Sequence, residues 1–254
     1  MPLTLEVCVE SVASAIRAET CGASRIELCA NLDQGGTTPS SGTIALAKQK
    51  VGIPIFVMIR PRSGDFLYDE TEFEIMKSDI AAAKSLGADG VVFGLLLENG
   101  RIDRARTLEL VKLARPMGVT FHRAFDMAVD PLEALEELVE IGVDRILTSG
   151  QEAKASLGLD LLRRLLEVAG SRIEVMPGSG VGPTTVADIL QALPAMQQVH
   201  MSGEIKIPDA SKMAYRNTRL SMGGSSSDEF ALRAVDEAKI RSVRAILDRW
   251  SGCC

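Results

Sequence analysis

Short apolar runs with period-two alternation recur along the chain, separated by longer stretches whose apolar positions repeat at helical spacing. Eight runs stand out, at residues 3–8, 25–29, 54–60, 90–94, 119–122, 145–148, 172–176 and 198–202. Between them lie amphipathic segments such as 71–86, where Phe73, Met76, Ile80, Ala83 and Leu86 fall on one helical face. Gly22, Gly87 and Gly142 each follow such a segment just ahead of the next run, the usual place for a helix exit. Eight strand–helix pairs in 254 residues predict one α/β domain over residues 1–254, a (β/α)8 TIM barrel. A doubly wound open sheet competes, but no Gly-x-Gly-x-x-Gly turn follows the first run and no composition shift marks a second domain. The Gly223-Gly224-Ser225-Ser226-Ser227 stretch predicts a long loop over about 203–227. Asp228 then offers an N-cap for a C-terminal helix over about 228–250.

Side-chain parity divides the strands into two faces. Leu5, Val7 and Val9 oppose Thr4, Glu6 and Cys8; Ile26 and Leu28 oppose Glu27 and Cys29. Ile55, Val57 and Ile59 oppose Phe56, Met58 and Arg60, and Val119 and Phe121 oppose Thr120 and His122. Ile173 and Val175 oppose Glu174 and Met176; Val199 and Met201 oppose Gln198, His200 and Ser202. Helices cover the outside of such a barrel, so the apolar face is outer and the polar face lines the interior. Buried charge is costly unless paired, so Glu6, Glu27, Arg60, His122, Glu174 and His200 must meet one another, a ligand or water. Strand ends at the C-terminal mouth are where this fold places its active sites.

Composition narrows the function classes. With 46% hydrophobic and 24% charged residues the chain can bury a sizeable core, and its formal net charge of −6 argues against a nucleic-acid partner. There is no apolar run of membrane-spanning length and no signal-peptide pattern at the start, which predicts a cytoplasmic protein with no membrane partner. Five scattered cysteines do not make a disulfide framework; Cys21 sits in a helical pattern as a small core residue, and Cys253 and Cys254 end the chain.

Several constellations at the predicted mouth could carry chemistry. Arg60, Arg62 and Arg123 would form a cationic rim for carboxylate or phosphate, or else neutralise Glu6, Glu27 and Asp126. Gly178, Gly180 and Ser202 would allow an anion close to the backbone, or simply make tight turns. Glu6 and Glu27, at similar height on neighbouring strands, could act as acid and base with His122, while Asp126 fixes His122 or Arg123. Cys8 and Cys29, on adjacent strands about 4.8 Å apart, could hold a soft ion such as Cu(I), form a disulfide, or be plain core residues. The charged mouth therefore admits an enzyme acting on a small anionic, phosphorylated or sugar-like metabolite, with no reaction assigned. A scaffold whose barrel charges are structural is the third alternative.

The segments Glu6-Val7-Cys8-Val9, Arg25-Ile26-Glu27-Leu28-Cys29, Gly35-Gly36-Thr37-Thr38-Pro39-Ser40, Phe56-Val57-Met58-Ile59-Arg60-Pro61-Arg62, Phe121-His122-Arg123-Ala124-Phe125-Asp126, Leu147-Thr148-Ser149-Gly150 and Met176-Pro177-Gly178 together resemble the CutC family of copper homeostasis proteins, especially its animal members. The resemblance runs from residue 3 to about 217. It implies a TIM barrel, cytoplasmic and in animals also nuclear, assembled as a homo-oligomer such as a dimer or tetramer. It also implies a role in copper handling, with Cu(I) as the bound ion and Cys8 and Cys29 at the positions of its cysteine ligands. The chain departs from the animal pattern at His200-Met201-Ser202, where those relatives tend to carry a cysteine between the histidine and the serine.

Overall fold

The computed structural model describes residues 2–217, 219 and 229–251. Strands and helices alternate in the order β1 (Thr4–Val9), α1 (Val12–Thr20), β2 (Arg25–Leu28), α2 (Ser41–Lys50), β3 (Ile55–Met58), α3 (Glu70–Ser85), β4 (Gly90–Phe93) and α4 (Arg104–Ala114). They continue with β5 (Gly118–Phe121), α5 (Pro131–Ile141), β6 (Arg145–Thr148), α6 (Leu159–Ala169), β7 (Glu174–Pro177), α7 (Val186–Ala192) and β8 (Gln198–Ser202). Beyond β8 come a short antiparallel pair, β9 (Glu204–Ile207) and β10 (Leu232–Val235), and the last helix, α8 (Glu237–Ser251). The eight barrel strands are all parallel in the order β7-β6-β5-β4-β3-β2-β1-β8, and β7 and β8 lie together, so the sheet curls into a nearly closed (β/α)8 barrel. No helix among the described residues is long and apolar enough to cross a membrane.

Local chemistry sets the helix ends. Asp69 caps α3 in a reciprocal capping box with Glu72, and Asp130 caps α5 ahead of Pro131, whose missing N–H is no loss at the first helical position. Gly142 ends α5 at φ 86°, a left-handed turn that glycine adopts without a Cβ clash.

The strand parity read from sequence separates two apolar layers. Leu5, Val7, Ile26, Leu28, Val57, Val119 and Val199 are fully buried in the large core between barrel and helices. Cys29, Phe56, Met58 and Val92 form a small second cluster inside the barrel. Phe56 fills the barrel floor because Gly90 and Gly118 leave room for it: a methyl at either position would overlap its ring.

One expected element differs. The segment after β8 is not wholly loop: Glu204–Ile207 pairs with Leu232–Val235, so α8 begins at Glu237 rather than near residue 228. Asp228 and the Gly-Ser stretch lie outside the described residues. Alternation in Glu204-Ile205-Lys206-Ile207 is the local signal for that strand.

Candidate functional site

Register decides what meets at the mouth. Parallel pairing sets Glu6 beside Arg25 on one side and His200 on the other, and sets Cys8 beside Glu27 and Ser202. Glu6 and Glu27 are therefore two residues out of step, not level, and Cys29 stands two residues above the Cys8–Glu27 row. The stagger that closes a barrel displaces neighbouring strands along the axis, which simple strand counting cannot show.

The lower row is a charge network inside the barrel. Arg25 Nε donates to Glu6, and Gln198 Oε1 accepts from Arg25 Nη2 at 2.8 Å and from Arg145 Nε at 2.6 Å. Arg145 Nη1 reaches Thr120 Oγ1 at 3.1 Å. The two guanidiniums lie against the Phe56 ring, 4.9 and 5.2 Å from its centroid, so cation–π contact adds to hydrogen bonding. Burial alone would raise the Glu6 carboxyl, but Arg25, with His200 and Arg145, overrides it and holds Glu6 well below the usual carboxylate range. Burial, then the repulsion of Arg25, brings Arg145 down to about 10. Sequence reasoning missed Arg25 and Arg145, although Arg25 shares the inward parity of Glu27.

Above that row the barrel opens into a cavity of about 450 Å³. Cys8, Glu27 and His200 are buried there, and their ligand-capable atoms all lie within 4.8 Å of one another. His200 Nδ1 is 2.7 Å from Glu6 Oε1 and its Nε2 is 3.9 Å from Glu27 Oε2. The Cys29 thiol donates to the same Glu27 oxygen at 3.5 Å. Burial would depress the His200 imidazole, yet Glu27, Cys8 and Glu6 together lift it well above 6.5. Burial raises Glu27 against the pull of His200, and burial together with Glu27 and Cys8 pushes the Cys29 thiol well up. Glu27 Oε1 has no hydrogen-bond partner among the described residues. One thiol and one imidazole beside a half-satisfied carboxylate, which also holds the Cys29 thiol, make a donor set suited to a soft cation.

The loop after β2 binds this corner to its neighbour. Gly35 and Gly36 take φ of 83° and 87°, and Gly36 packs so closely on Cys29 that a Cβ there would stand 3.3 Å from its Sγ. Carbonyls of Gln34 and Gly36 hold the Arg60 guanidinium at 2.8 and 3.0 Å. Arg60, Phe66 and His122 line the same cavity, as does Arg233, which reaches in from β10 and pairs with Asp33 and Glu10.

Other expected site residues fall elsewhere. Arg62 turns out of the mouth: its Nε bonds Glu72 at 2.5 Å, it pairs with Asp65, and it lies over Tyr68, since β3 has already ended at Met58, ahead of Pro61. Gly178 is a packing position, since a methyl there would overlap Leu147 and crowd His200, and Gly180 is a left-handed turn against Lys154. The Gly178 N–H is already spent on Thr148 O, which leaves Ser202 as the member of that trio on the cavity wall. Asp126 does not touch His122. It accepts from Arg123 Nε at 2.7 Å, Thr148 Oγ1 at 2.5 Å, and the N–H groups of Ser149 and Gln151 at 3.0 and 3.2 Å, and so ties the β5 and β6 loops together.

Comparison with known proteins agrees with the barrel fold. The chain is 50% identical over 243 residues to the human copper homeostasis protein cutC homolog, covering 95% of this chain and 88% of the human protein. It is 47% identical to a CutC family protein of Chromobacterium violaceum, over 98% of this chain and all of that one. The crystal structure of CutC from Streptococcus agalactiae superposes with a TM-score of 0.75 at 36% identity, covering 79% of this chain and 98% of that one. The CutC family model matches residues 3–205, and the chain belongs to the CutC family.

Proposed function

We propose that this protein serves copper homeostasis by holding a Cu(I) ion as cargo at the C-terminal mouth of the barrel. Cys8 and His200 are the primary ligands, and the Cys29 thiol is tied to them through its hydrogen bond to Glu27. The observation that carries the reading is the buried convergence of Cys8, Glu27 and His200 within 4.8 Å, at the mouth and on three adjacent strands. Thiolate and imidazole favour a soft ion, and the carboxylate of Glu27 holds the thiol of Cys29. Relatives at about half identity carry copper homeostasis in their names, which supports the same assignment here. The reading puts the protein in a reducing compartment, the cytoplasm, where Cys8 and Cys29 stay thiols.

Competitive titration of Cu(I) against a chromogenic chelator tests it. The parent takes the ion from the chelator, and Cys8→Ser combined with Cys29→Ser does not. Equal binding by that variant would remove the mouth as the copper site.

A further inference from the structure

Arg60, two residues past the end of β3, carries a guanidinium that is almost fully enclosed, the residue being 5% exposed, on the cavity wall. Its partners are backbone carbonyls: Gln34 O at 2.8 Å, Gly36 O at 3.0 Å and Gly64 O at 2.8 Å. The Phe66 ring lies 5.1 Å from its carbon centre. No carboxylate pairs with it among the described residues. Tyr68 stands beside it, but burial holds that hydroxyl above its usual value, so it stays neutral and offers no charge. Enclosing a cation without a counter-charge is costly, and the arrangement calls for an anion from outside the chain.

His122 supplies a second unspent group on the same wall. Its Nδ1 accepts the Ala124 N–H at 3.2 Å, so the proton of the neutral ring sits on Nε2. That Nε2 is buried and has no partner among the described residues. The ring is 4% exposed and packs against Phe66 in a tilted arrangement, 54° between planes with centroids 5.0 Å apart. It seats there because Gly94 has no side chain: a Cβ would stand 2.6 Å from Nδ1. Burial and the field of Arg60 keep the ring uncharged, hence a hydrogen-bond donor and not a second cation.

We propose that Arg60, Phe66 and His122 form a binding subsite for the oxyanion group of a small organic acid or phosphate ester, on a wall of the cavity separate from the Cys8–Glu27–His200 cluster. Arg60 provides the charge, His122 Nε2–H the directed hydrogen bond, and Phe66 an apolar face for the carbon skeleton. Arg123 on the same rim is already paired with Asp126 and adds little. The cavity of about 450 Å³ suits a small metabolite and not a polymer. The subsite stands whether or not copper binds next to it.

Calorimetric and thermal-shift titrations of the full chain with inorganic phosphate and with succinate test the proposal. At least one probe should bind and raise the melting temperature; phosphate alone assigns a phosphate ester, and succinate alone or both together assign or include a carboxylate. Arg60→Gln and His122→Leu should each weaken binding by roughly 10- to 100-fold, the loss expected for one charge-assisted hydrogen bond, while Arg62→Gln leaves it intact. If Arg60→Gln fails to fold, the nitrogen resonance of His122 Nε2 in the parent serves instead, and it should shift on adding the bound probe. The proposal is overturned if neither probe binds at millimolar concentration, if both variants bind like the parent, or if that resonance is unmoved. Running these titrations with no copper present separates this outcome from the fate of the copper reading.

Discussion

His200 Nδ1 and Glu6 Oε1 lie 2.7 Å apart, so the eighth strand of the barrel is keyed to the first through a fully buried carboxylate that also holds Arg25. Removing the charge of Glu6 would leave Arg25 and a raised His200 without their shared counter-ion. Breaking a buried pair by deleting one partner costs about 3–5 kcal/mol. Glu6→Gln is therefore expected to lose stability on that order in urea unfolding, and Cys8→Ser, on the same strand, much less. Equal and small losses would mean that the network contributes little to holding the strands together.

Copper binding should release protons. Glu27, Cys8 and Glu6 raise His200 well above its ordinary value, and burial and Glu27 push the Cys29 thiol well up, so a metal competes with protons at both. Affinity for Cu(I) is expected to rise with pH through the neutral range. Calorimetry in two buffers of different ionisation enthalpy would count the protons released, and His200→Ala should bind more weakly while releasing fewer. Proton-neutral binding would place the ion on other groups.

The barrel floor makes a steric prediction. Phe56 lies under Gly90 and against two guanidiniums, so Gly90→Ala forces its ring out of contact with Arg25 and Arg145. Overpacking of this kind costs about 1–3 kcal/mol. Adding Phe56→Leu to Gly90→Ala should recover part of that loss, a coupling that a double-mutant cycle by thermal unfolding would measure. Additive losses would show that the ring has another route to relax.

Much of this was legible from the alternation of side chains. Period-two parity in strands such as 3–8 and 198–202 places Glu6, Glu27, Arg60, His122 and His200 inside the barrel, because the helices need an apolar outer face. Register was not legible: it pairs Glu6 with Arg25 and Cys8 with Glu27, and it depends on barrel stagger, a property of all eight strands together. Arg62 was misplaced because parity says nothing once β3 has ended at Met58. Arg233 had no local signal, since its partner Asp33 lies in the loop after the second strand, far away in sequence.

The His122 environment predicts how stability varies with pH. Burial, then the Arg60 charge, brings its folded value to about 3, below its ordinary 6.5. Between those values the unfolded chain binds a proton that the folded chain refuses, so protonation favours unfolding. The group thus imposes no penalty above about pH 6.5, and stability falls as the pH drops from there toward about 3, with a slope of at most about 1.4 kcal/mol per pH unit. His122→Phe keeps an aromatic ring against Phe66 but cannot take up the proton in either state. Its urea-unfolding free energy should depend less steeply on pH than that of the parent between pH 4 and 6, with the two curves converging in slope above pH 7. Parallel curves across that range would mean that His122 is charged in the folded protein, and its unpartnered Nε2 would then have to be meeting an acceptor.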